Sequence, residues 1–117
     1  MTVKECYDEM GGNYESVTGR LRSDERIVRF LSRVPTDPCV AELQSSMQSG
    51  DAPTAFRASH TLKGICLNLS LDKLSVSANA LTDELRGKDS ISDEAKRLYE
   101  EVDRDFKVVA SAIAKLQ

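Results

Sequence analysis

One histidine, His60, stands in this chain of 117 residues, with Lys63 three positions on and Gly64 four positions on. An imidazole that is neutral near pH 7 is a competent nucleophile. An ammonium one helical turn away brings a flexible positive charge beside whatever the ring carries, which favours an anionic adduct. Glycine in mid-helix costs up to about 1 kcal/mol relative to alanine, so the missing Cβ beside His60 asks for a reason. Less bulk at that point leaves the ring open to an incoming group.

The same residues share a face. Helical rotation is about 100° per residue, and with Leu62 as origin the apolar stripe Ala55, Ala58, Leu62, Ile65 and Leu69 centres near −20°. His60 falls at about 160°, opposite that stripe. Phe56, Arg57, Lys63 and Gly64 are its neighbours, and Leu67 lies further along. A small apolar patch with basic residues suits docking better than plain solvation. Each feature also has a bland explanation: Gly64 permitting close helix packing, Phe56 and Leu67 covered by the N-terminal helices, Lys63 an ordinary solvated charge.

Composition narrows the classes. The length suits one domain with its own core, and hydrophobic residues at 40% with charged residues at 30% fit a globular chain. Sixteen Lys+Arg against nineteen Asp+Glu leave a net charge of −3, without the positive excess that nucleic-acid binding demands. Cys6, Cys39 and Cys66 form an odd set with no C-x-x-C pair, which argues against a disulfide framework and a zinc ribbon. That usage, with no apolar leader at the N-terminus and no membrane-length stretch, predicts a cytoplasmic protein.

Periodicity is helical almost throughout. Ala95, Leu98, Val102, Phe106, Val109, Ile113 and Leu116 predict a long final helix starting after Ser92. Leu71, Leu74, Ala78, Leu81 and Leu85 predict another, with Ser70 as its cap and Gly87 ending it. The His60 helix opens with Gly50-Asp51 as turn and cap and Pro53 in its first turn. Asp37-Pro38 opens a helix that turns Val40, Leu43 and Met47 inward and closes at Ser49-Gly50. Shorter helices precede it, with Val3, Tyr7 and Met10, then Tyr14, Val17 and Leu21 across Gly11-Gly12, then Ile27, Phe30, Leu31 and Val34 up to Pro35. The expected architecture is an all-α antiparallel four-helix bundle over 37–116, with 1–35 as accessory helices, in one domain spanning 1–117.

The stretch His60-Thr61-Leu62-Lys63-Gly64-Ile65-Cys66-Leu67-Asn68-Leu69, followed by Ser70-Leu71, resembles the histidine-containing phosphotransfer (HPt) signature H-x-L-K-G-x-x-x-N-L-G-L. The likeness is close over about residues 52 to 86, and the long last helix suits the family's four-helix bundle. It implies a phosphorelay intermediate in two-component signalling. His60 would exchange a phosphoryl group with the aspartyl phosphate of a response-regulator receiver domain, free or within a hybrid histidine kinase. Lys63 would offset phosphate charge, Gly64 would leave room for the partner's acidic pocket, and Arg86 would bring a second cation. Phe56, Arg57 and Leu67 would meet the partner. Magnesium belongs to the receiver in such a scheme, so no metal or other cofactor is expected, nor any nucleic-acid or membrane partner.

Two positions depart from the pattern. Ser70 replaces the glycine usual at the bend between helices. Thr82 stands where the family often carries Gln or Glu bonded to the other imidazole nitrogen.

Rival readings follow from other residues. A histidine-kinase dimerisation helix usually has an acidic residue after its histidine and a proline soon afterwards, whereas Thr61 and Ile65 stand here. Gly11-Gly12 lacks the lysine of a phosphate-binding loop, so ATP binding and autokinase activity are not expected. Cys66, at about 40° on the inward flank, is poorly placed as a hydrolase nucleophile. Helical metal enzymes need Glu-x-x-His patterns, which the chain lacks. A helical adaptor whose histidine is never phosphorylated stays open, as does a homodimer in place of a monomer.

Overall fold

A computed structural model of the chain describes residues 1–116. Among them are seven α-helices: α1 (Val3–Met10), α2 (Tyr14–Leu21), α3 (Asp24–Leu31), α4 (Pro38–Ser49), α5 (Ala52–Leu69), α6 (Asp72–Leu85) and α7 (Asp93–Ala114). A 3-10 turn, Val34–Thr36, precedes α4. Start signals sit where the sequence places them. Asp37, Asp51 and Ser92 each accept a backbone N–H at the head of α4, α5 and α7, satisfying donors that a helix leaves unpaired.

Short loops force α4 to α7 to run antiparallel, with α5 packed against both α4 and α6, and α7 packed against α6. Side chains of Leu43, Leu62 and Val102 meet inside and bring α4, α5 and α7 together around a small void. Leu62, Leu74, Leu81, Leu85, Val102 and Val109 are among the largest fully buried side chains. Phe30 departs from the inward pattern of its helix, being 41% exposed. α7 ends at Ala114, and Leu116 follows in a turn, still packed on the core.

The α5–α6 corner corrects one expectation. Ser70 does not cap α6, whose first turn has no side-chain cap. It ends α5 instead, in the left-handed conformation at φ 55°, ψ 41° that favours glycine. What holds it is a set of bonds from the N-terminal helices. Arg20 donates to Ser70 Oγ at 2.7 Å and to the Leu67 carbonyl at 2.6 Å, and Asn13 N–H donates to the Ser70 carbonyl at 2.9 Å. The buried Tyr7 hydroxyl donates to the Leu69 carbonyl at 2.7 Å. Carbonyls that the end of α5 leaves free are thus satisfied by α1 and α2. Gly12 fits closely there, since a Cβ would lie 2.7 Å from the Tyr7 ring and 2.9 Å from the Ser70 carbonyl. Gly87 takes the left-handed residue after α6, as expected.

Candidate functional site

α5 carries the site. Asp51 fixes its start, with the Thr54 hydroxyl at 2.7 Å and the Thr54 N–H at 3.2 Å holding the carboxyl below its ordinary range. Ala55, Ala58, Leu62, Cys66 and Leu69 bury one face. The helical phase this imposes turns His60 outward, where it is exposed. Ile65, at the edge of the apolar stripe, is only partly buried.

Around His60 the structure gathers several of the expected residues. The Phe56 ring stacks beside the imidazole, with centroids 6.0 Å apart and planes at 27°. Phe56 is half-buried against the core, so it faces outward less fully than its position on the wheel implies. Lys63 is half-buried and Arg57 exposed, and neither has a carboxylate within ion-pair distance among the described residues. Leu67 is 51% exposed. Apart from its chain neighbours and the backbone of its own helix, a Cβ built on Gly64 would meet no atom of the described residues within 4 Å. Close helix packing therefore does not explain this glycine, and its bare backbone opens onto free space.

Arg86 ends α6 and reaches back to the site. Its guanidinium carbon lies 5.2 Å from the Phe56 centroid, and Nη2 is 3.4 Å from Asp83 Oδ1. The cation thus rests on Phe56, which in turn stacks on His60. Thr82 does not reach the imidazole. It is fully buried, with its hydroxyl 2.7 Å from the Ala78 carbonyl oxygen and 3.0 Å from Ser59 Oγ. Ser59, also buried, donates to the Phe56 carbonyl at 3.1 Å. No hydrogen bond to the His60 ring occurs among the described residues.

A groove of about 450 Å³ escaped sequence reasoning. It opens beside Ile65 and Asn68 on α5 and is bordered by Arg20 of α2, Phe30 of α3 and Arg33 in the turn that follows α3. Arg33 stacks its guanidinium 5.7 Å from the Phe30 centroid. The available signal was weak: five arginines against two acidic residues between Arg20 and Arg33, in a chain of net negative charge. Only the fold brings that segment beside α5.

Cys66 is buried in the core, and burial pushes its thiol up to about 12. Cys6 and Cys39 are buried too, and all three cysteines are free. Among the described residues, no group of three or more His, Cys, Asp or Glu gathers as a metal cage requires. None of the described helices is long and apolar enough to cross a membrane.

Comparison with known proteins gives one match. The family model of the Hpt domain matches residues 28–114, which is 87 of the 117 residues. It begins inside α3 and takes in α4, α5, α6 and α7. No curated protein and no solved structure matches the chain.

Proposed function

Because the chain belongs to the Hpt domain family, whose members are phosphocarrier modules, we propose that it is a phosphorelay intermediate with His60 as the phospho-accepting residue. In the step envisaged, a ring nitrogen of neutral His60 attacks the phosphorus of a receiver's aspartyl phosphate. An N–P bond forms while the P–O bond breaks, and the aspartate leaves as a carboxylate with the bonding electron pair. The remaining ring N–H proton passes to solvent, and the return step reverses each of these changes.

Phosphoryl transfer asks a protein mainly for alignment and charge neutralisation. Lys63 supplies an ammonium one turn from the ring, unpaired among the described residues, and Arg86 supplies a second cation within the Phe56 stack. Gly64 leaves the partner's acidic pocket room to close over His60, while Phe56, Arg57 and Leu67 form the contact face. The chain then acts as a carrier in the cytoplasm, charged by receivers or hybrid histidine kinases and without autokinase activity of its own.

The observation that carries this reading is the open space at Gly64. A mid-helix glycine with no internal neighbour, one turn from an exposed histidine, leaves room beside the ring for a group that arrives from outside. The engagement of Thr82 with Ser59 favours a second reading, an adaptor that docks receivers without accepting phosphate. One assay separates the two. Receiver domains charged with a small phosphodonor are mixed with the protein, which is then tested for base-stable, acid-labile phosphate. The carrier acquires it and His60→Gln does not, whereas an adaptor binds the receivers and stays unlabelled.

A further inference from the structure

The buried Thr82 hydroxyl is engaged with Ser59 and Ala78, so the His60 ring lacks the side-chain hydrogen bond that would select its orientation. A ring free about χ1 and χ2 spends much of its time out of line with an incoming phosphorus, which lowers the rate. What the ring has instead is a planar neighbour. Phe56, one turn earlier, stacks at 6.0 Å and 27°, and the offset stacking of two rings restricts both. Phe56 is itself restrained on two sides, by the core it packs against and by the Arg86 guanidinium over its ring.

We propose that Phe56 is a positioning residue for His60, holding the imidazole in its reactive orientation in place of the hydrogen bond that Thr82 does not make. This rests on the carrier reading and adds a distinct claim to it. A residue that only docked a receiver would matter only when a receiver is the donor. A residue that orients the ring matters for any donor, including one too small to touch the docking face.

Phosphoramidate is such a donor. A His60 nitrogen takes its phosphoryl group, the donor's P–N bond breaks, and ammonia leaves with a proton. Phe56→Leu keeps apolar bulk but removes the ring plane, and Phe56→Tyr keeps both. With folding of each variant checked by thermal melt, Phe56→Leu is expected to be charged by phosphoramidate about three- to tenfold more slowly than wild type, and Phe56→Tyr within about twofold of it. Equal charging of wild type and Phe56→Leu overturns the proposal, and a defect confined to receiver donors would mark Phe56 as a docking residue alone. Should neither donor charge wild type, the carrier reading falls, and NMR couplings of the His60 side chain still decide the positioning claim. One dominant rotamer in wild type and Phe56→Tyr, with averaging in Phe56→Leu, supports it; equal averaging in all three overturns it.

Discussion

At His60 the chemistry depends on an exposed ring, a nearby cation and an absent Cβ, and each can be removed separately. Lys63→Ala is expected to slow phosphoryl transfer up to about tenfold while the melting temperature barely moves, since its ammonium pairs with no carboxylate among the described residues. Gly64→Leu is expected to block receiver-dependent transfer yet leave the helix intact, gaining up to about 1 kcal/mol from better helix propensity; thermal melts and transfer rates check both changes. This face was legible in the sequence because one helical phase, set by the Ala55 to Leu69 stripe, orients every residue on it. The role of Thr82 was not legible. Its partner, Ser59, lies on the neighbouring helix, and only the packing of α5 on α6 shows that the two hydroxyls meet.

Among the elements, the α5–α6 corner shows how an apparent departure from a pattern can be structural. Ser70 occupies a left-handed residue where glycine is usual, and Arg20 and Ser16 hold its hydroxyl. Ser70→Ala keeps the backbone strain and loses those bonds, a cost of about 1–3 kcal/mol. Ser70→Gly loses the same bonds but relieves the strain, so it is expected to cost less by about 1 kcal/mol in denaturant unfolding. Gly12→Ala should destabilise by roughly 2 kcal/mol or more, because the new methyl group meets the Tyr7 ring and a backbone carbonyl. Helix starts were readable from Asp37, Asp51 and Ser92, whose side chains act within three residues of themselves. Ser70 was misread because its partners come from 50 or more residues away.

Across the whole molecule, the N-terminal helices bind the corner and border the groove beside α5, features that local periodicity does not register. Burial raises the ionisation of core groups: Cys39 and Cys66 to about 12 from an ordinary 9.0, with Tyr7 shifted in the same direction. These groups ionise more readily unfolded than folded, so their contribution to stability is complete below pH 9 and declines as pH rises toward 12. Urea midpoints should therefore fall over that window, and an unchanged midpoint would mean that the core admits water. The central claim, an N–P bond on His60, is tested most directly by phosphorus NMR of the protein mixed with an aspartyl-phosphorylated receiver. The expected result is a nitrogen-linked phosphoryl resonance that grows as the aspartyl phosphate signal decays and is missing in His60→Gln. Decay of the aspartyl phosphate to inorganic phosphate alone, with receivers that bind the chain, would contradict the account.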